Sequence, residues 1–216
     1  MSLQEQLTTL KEANLAKFPE EIKNVIFDDL KQLSESGLIE SAPNTNDILK
    51  DFNLPNHRGE VSSLAELRKR GPVVVTFYRG GWCPYCNLEL RAYQEILPQI
   101  QAAGATLVAI TPELPDESLT TSERHALEFE VLTDKNSDYA REIGVVFTVS
   151  ERLRPIYQSF GIDLEKHNGA GQFDVPLAAT YVVDAAGTIV YAVVDADYTI
   201  RAEPSEVVKV LQSLAK

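Results

Sequence analysis

The apolar run Val73-Val74-Val75-Thr76-Phe77-Tyr78 has no alternating polar positions, the pattern of a strand covered on both faces. Similar runs follow, and the pattern predicts strands at 73–78, 105–111, 129–133, 179–184 and 188–194. Between them, helical periodicity predicts helices at 83–102, 121–127, 136–143 and 204–215. Asp184-Ala185-Ala186-Gly187 supplies a hairpin turn between the last two strands. Strands alternating with helices, with a terminal hairpin, imply an α/β class with a mixed sheet flanked by helices.

The ends of this pattern are different. Leu3, Leu7 and Leu10 share one helical face, and Ile22, Val25, Ile26, Leu30 and Leu33 share another. Residues 1–45 therefore read as a helical N-terminal arm, with Pro19 in the first turn of its second helix and Gly37 at its end. The apolar stripes suit packing on residues 46–216, which form the main domain; a dimerisation arm, and so a homodimer, is the other use of such a stripe. Ser41 to Asn46 is a linker by composition, and Ile48 to Leu64 reads as a short hairpin turning at Asn56-His57-Arg58-Gly59. Residues 145–173 are the least regular stretch, an insertion placed to rim a site.

Candidate chemistry concentrates at one point. The only two cysteines of the 216 residues lie in Trp82-Cys83-Pro84-Tyr85-Cys86, between the 73–78 strand and the next helix. A strand-to-helix Cys-x-x-Cys is a redox signature. Cys83 falls at the helix N-terminus, where free N–H groups and the macrodipole favour a thiolate, and Cys86 is close enough to form a local disulfide. Pro84 starts the helix without losing a backbone donor, and Gly80-Gly81 leaves room beside the sulfurs. A zinc site needs two further ligands, and His57, His125 and His167 are scattered without ligand spacing, so no metal and no cofactor are expected. Pro176, just before the 179–184 strand, suits a cis peptide that would present the backbone of Val175 to an extended substrate.

Charge narrows the partners. Lys and Arg number 20 against 32 Asp and Glu, a net charge of −12, which argues against nucleic acid or an anionic membrane. Met1 to Glu5 has neither a basic region nor an apolar core, so no secretory leader is expected and the cytoplasm is the expected compartment.

The strand-Trp-Cys-x-x-Cys-helix unit, Pro176 and the 184–187 hairpin resemble the thioredoxin superfamily, and Cys83-Pro84-Tyr85-Cys86 is similar to the glutaredoxin tetrapeptide. Phe77 to Cys86, with Phe52-Asn53-Leu54-Pro55, Ala179 to Asp184 and Val194 to Thr199, resembles the peroxiredoxin-like proteins of the alkyl hydroperoxide reductase/thiol-specific antioxidant superfamily over about residues 47–204. That resemblance implies a thioredoxin-like fold and a thiol-dependent oxidoreductase. It would act on a hydroperoxide and be recharged by thioredoxin, glutaredoxin or glutathione. Aligned on the family's Pro-x-x-x-Thr-x-x-Cys motif, Cys86 takes the peroxidatic position, Cys83 replaces the threonine and Arg79 the proline, and Ala178 stands where the family has its arginine. A thioredoxin-type alignment makes Cys83 the attacking sulfur and Cys86 the resolver. Arg79 is then a candidate to stabilise a thiolate or polarise a peroxide, while Trp82, Pro84, Tyr85, Val175 and Pro176 are candidates for a substrate or partner groove. Two other readings use the same residues: a protein disulfide reductase led by Cys83, and a redox-sensing binding module.

Overall fold

The computed structural model describes residues 1–214. The N-terminal arm comprises α1 (Leu3–Leu15), α2 (Glu20–Ser34) and the short α3 (Leu38–Ser41). The hairpin β1 (Asn53–Pro55) and β2 (Val61–Ser63) turns through Gly59, whose N–H donates to the Asn56 carbonyl, and leads into α4 (Leu64–Arg68). Then come β3 (Val73–Phe77), α5 (Pro84–Ala102), β4 (Thr106–Thr111), α6 (Pro115–His125), β5 (Glu130–Thr133) and α7 (Asp138–Glu142). The irregular stretch holds β6 (Val146–Thr148), α8 (Arg154–Ser159), α9 (Leu164–Asn168) and β7 (Asp174–Pro176). The chain closes with β8 (Ala178–Val183), β9 (Ile189–Asp195) and α10 (Pro204–Leu214).

Five strands form the central sheet in the order β5-β4-β3-β8-β9, with β3, β4 and β5 parallel and β8 and β9 antiparallel. This is the mixed, helix-flanked sheet of a thioredoxin-like α/β fold. Strand β3 is central and wholly buried, which explains its unbroken apolar run. Its side chains alternate between two cores: Val73, Val75 and Phe77 face the side of Leu64, Leu67 and Tyr139, while Val74 and Tyr78 face α5 and α10. Thr76 lies on the α5 side, a polar position among apolar ones that faces Glu89.

The arm packs on the body of the protein. Leu3 and Leu7 are buried against α5 and α10, and Ile26 of α2 is buried with Val149, Leu153, Leu164 and Val175. Helix α6 begins six residues earlier than the periodicity implies, because Pro115 at its first position and Asp116 and Glu117 in its first turn start it well before the apolar stripe. No helix among the described residues is long and apolar enough to cross a membrane.

Candidate active site

Strand β3 delivers the chain to the sheet's carboxyl edge, where Tyr78 N–H still donates to the Ile110 carbonyl of β4. The loop then turns tightly: Cys83 N–H donates to the Gly80 carbonyl at 3.0 Å, and Asn87 Nδ2 donates to the Gly81 carbonyl at 2.8 Å. Cys83 is the N-cap of α5, with Pro84 next, and Cys86 sits within the first turn. Both sulfurs belong to free thiols and both residues are fully buried. The two glycines have a different use from the expected clearance at the sulfurs. Gly80 has φ +154°, and a Cβ there would meet the Trp82 indole Nε1 at 2.2 Å; a Cβ on Gly81 would lie 1.9 Å from Thr121 Oγ1 of α6. They let the loop lie flat beneath Trp82 and against α6.

Two buried arginines address the two sulfurs. Arg79 Nη2 donates to Cys83 Sγ at 3.1 Å and Nη1 to the Tyr157 hydroxyl at 3.1 Å. Its guanidinium also lies 4.0 Å from the Tyr198 ring and 5.2 Å from that of Trp82. Among the described residues it pairs with no carboxylate, and Cys83 is its leading electrostatic partner. Arg201 Nη2 lies 3.4 Å from Cys86 Sγ, but its Nη1 donates to Glu89 Oε2 at 2.8 Å, and both side chains are only 1% exposed. One arginine therefore has its anion already, and the other does not. An unpaired charge in a protein interior is strongly disfavoured, so Arg79 favours the thiolate at Cys83. Burial opposes ionisation of Cys83, yet the hydrogen bond from Cys86 and the charges of Arg79 and Arg201 outweigh it and hold this thiol well below its ordinary range. Burial and the neighbouring Cys83 sulfur push Cys86 well above its range.

Arg201, in the segment between β9 and α10, is ion-paired to Glu89 and supplies the guanidinium beside Cys86, while Ala178 carries no charge. Glu89, three residues after Cys86 on the buried face of α5, is a second site residue that periodicity alone treats as core. Burial raises its carboxyl to about 7 against the opposing pull of Arg201, and Thr76 of β3, linked to Thr180 at 2.9 Å, faces it at 3.5 Å.

The expected groove is only partly assembled. Trp82 is half-buried, 5.7 Å from the Tyr157 ring. Pro84 is exposed and faces a groove between α1 and α5. Tyr85 is buried, edge-on to Tyr198, and its hydroxyl accepts from Asn14 of α1 at 3.2 Å. Val175 and Pro176 are also corrected. No cis peptide occurs among the described residues, and β7 pairs with β6 so that Val175 stands opposite Phe147. The bonds from Val149 N–H to the Phe173 carbonyl and from Leu177 N–H to the Val145 carbonyl, two residues to either side, put that pair in the hydrogen-bonded register. The Val175 backbone is thus occupied by β6, not offered to a substrate.

On the other side of the loop, Gly81 N–H donates to Glu113 Oε1 at 2.9 Å. His167 Nδ1 lies 2.8 Å from Glu117 and 3.6 Å from Glu113, and single ligand atoms of the three lie within 4.8 Å of one another. Neither cysteine belongs to this cluster. Burial raises the Glu113 carboxyl to about 7, despite the opposing bond from Gly81. Its folded value lies above the unfolded one of about 4.3. The stability it contributes is therefore complete below about pH 4.3 and is lost as the pH rises through about 7. Glu113→Gln, which keeps an acceptor for Gly81, is expected to change the urea midpoint little near pH 5 and to raise it near pH 8. An equal shift at both pH values would contradict this.

A cavity of about 230 Å3 opens beside Arg79, between α2, β6 and α8. Ile26, Leu30, Leu33, Phe147 and Leu153 give it apolar walls, and Arg79, Tyr157 and Tyr198 its polar end. Part of the irregular segment thus lines this cavity, together with α2 of the arm.

The family model described as AhpC/TSA family matches residues 45–192. The chain is 26% identical over 163 residues to the chloroplastic peroxiredoxin Q of Populus jackii, covering 76% of this chain and 65% of that one. It is 25% identical over 99 residues to peroxiredoxin Bcp of Escherichia coli, covering 46% and 63%. The crystal structure of peroxidoxin BcpB from Mycobacterium tuberculosis superposes with a TM-score of 0.62 over 79% of this chain and 97% of that one, at 19% identity, which is agreement of fold. With two cysteines three residues apart at the edge of a thioredoxin-like sheet, and a family match that spans well over half the sequence, the chain belongs to the AhpC/TSA family.

Proposed function

We propose that this protein is a thiol-dependent peroxidase in which Cys83 is the attacking thiolate and Cys86 the resolving thiol. The observation that carries the assignment of roles is the buried Arg79 guanidinium, which has Cys83 as its anion and, among the described residues, no carboxylate. The Cys83 thiolate attacks one oxygen of a hydroperoxide, the O–O bond breaks, and the departing alkoxide takes a proton and leaves as alcohol. Cys83 is then a sulfenic acid. The Cys86 thiol attacks its sulfur, releasing water and closing the Cys83–Cys86 disulfide. Arg79, fixed by Tyr157 and the rings of Trp82 and Tyr198, supports the negative charge that shifts from sulfur to oxygen. A dithiol donor of the thioredoxin type restores both thiols by exchange through a mixed disulfide.

Inaccessible sulfurs and a Tyr85 covered by α1 suit a small peroxide better than a protein disulfide as the first substrate. The donor, which is larger, requires the first turn of α5 to open. A lone cysteine pair used for catalysis rather than as a structural staple suits a reducing compartment such as the cytoplasm.

Stopped-flow mixing of the reduced protein with hydrogen peroxide tests the proposal. Stoichiometric loss of both thiols, far faster than oxidation of free cysteine at the same pH, is expected. A rate no higher than that of free cysteine would overturn it.

A further inference from the structure

We propose that the cavity beside Arg79 binds a small alkyl carboxylate, and that it does so when Cys83 is in the disulfide rather than the thiolate state. The redox dependence rests on the dithiol cycle proposed above; the site itself rests on Arg79 and the cavity.

Arg79 has five N–H donors and no means of losing its charge at accessible pH. In the reduced protein Nη2 serves Cys83 and Nη1 serves Tyr157, while Nε is buried with no partner. The remaining neighbours are the faces of Trp82 and Tyr198, which attract a cation but carry no charge. The thiolate alone neutralises the guanidinium. Disulfide formation removes that anion: the Cys83 thiolate and the Cys86 thiol give up two electrons and one proton, a second proton comes from solvent, and the hydroperoxide leaves as alcohol and water. Arg79 is then a buried cation without a counterion, with its Nη2 bond weakened and Nε still free.

The surroundings specify what can replace the anion. The cavity walls contributed by Ile26, Leu30, Leu33 and Phe147 are apolar, which excludes a strongly hydrated ion such as phosphate and suits an alkyl chain. The other charged residue of the lining, Asp29, is engaged by Arg152 at 2.6 Å and by the Ser150 hydroxyl, so it neither neutralises Arg79 nor competes for it. A carboxylate presents two oxygens to a guanidinium fork, and its tail fills the space toward α2. In the reduced protein the same ligand meets a neutral Arg79–thiolate pair and gains only the apolar contact.

Calorimetric titration of sodium octanoate, with octan-1-ol as the uncharged control, tests this on three samples: reduced protein, protein oxidised to the disulfide with diamide, and reduced Cys83→Ala. Octanoate is expected to bind the second and third about tenfold or more tightly than the first, and octan-1-ol to bind all three alike. By linkage, a tenfold preference makes the disulfide about 30 mV harder to reduce in saturating octanoate. Equal affinity across the three samples, or no saturable binding, would overturn the proposal. The diamide comparison on the unmodified protein decides the matter if Cys83→Ala does not fold. Redox-dependent binding in a protein that hydrogen peroxide fails to oxidise would uphold the site and refute the peroxidase reading. Rapid peroxide oxidation with no effect of diamide or Cys83→Ala on octanoate binding would do the reverse.

Discussion

Cys83→Ser is expected to slow oxidation by hydrogen peroxide about a hundredfold or more, because only the thiolate attacks and a thiol of ordinary pKa is just a few per cent ionised near neutrality. The sulfur that remains, Cys86, has a pKa raised by burial, and Arg201 beside it is already matched by Glu89. Cys86→Ser should instead keep the fast first oxidation and stop at a Cys83 sulfenic acid, which further peroxide takes to the sulfinic acid. The alignment with the family's threonine-containing motif puts Cys86 in the attacking position and implies the opposite pair of results. Charge balance in the structure opposes that assignment. Both cysteines have an arginine within reach, but among the described residues Arg201 has a carboxylate partner and Arg79 has none. Stopped-flow oxidation of the two variants, with mass analysis of the products, separates the two assignments.

Glu89→Leu has the second largest expected effect, a loss of about 3–5 kcal/mol of stability, the usual cost of leaving a buried charge without its partner. The Glu89 and Arg201 side chains are each 1% exposed, so bulk solvent does not compensate the charge left behind. The reverse deletion should be milder. Arg201→Met leaves a carboxyl whose pKa is already about 7 and which can take up a proton, whereas an arginine cannot release one. Glu89→Leu also has a chemical consequence: the uncompensated guanidinium stands 3.4 Å from Cys86. The Cys86 thiol should therefore become more acidic in this variant, and its alkylation by iodoacetamide should accelerate near neutral pH. Urea denaturation and residue-resolved alkylation read the two effects separately. Equal destabilisation by both substitutions, with Cys86 unchanged, would show that the pair contributes packing rather than charge balance.

Most of the fold was legible in the sequence because its central strands have no solvent face. The Val73 to Tyr78 run, the Asp184 to Gly187 turn and the placement of Cys83 at the head of a helix all follow from local pattern. The start of α6 was legible too, in Leu114-Pro115-Asp116-Glu117, but the capping signal there lies outside the apolar stripe. Glu89 carried a usable signal: it falls three residues after Cys86 on the face shared with Leu90, Tyr93 and Leu97, and a charge at a core position demands a countercharge. Its partner had no local signal. Arg201 comes from beyond β9, 112 residues away, and only the closed sheet brings it to α5. Val175 and Pro176 misled for a related reason. A proline before a strand suggests an exposed edge, and nothing nearby in sequence reveals that β6, from inside the irregular segment, covers it.

The central claim, that Arg79 keeps Cys83 as a thiolate, is most directly tested by following thiolate absorbance against pH in Cys86→Ser and Cys83→Ser. Cys86→Ser is predicted to keep a thiol that ionises well below the ordinary range of about 8.5, and Cys83→Ser to keep one that ionises at or above it. An acidic thiol in Cys83→Ser and an ordinary one in Cys86→Ser would contradict the account and give the attacking role to Cys86.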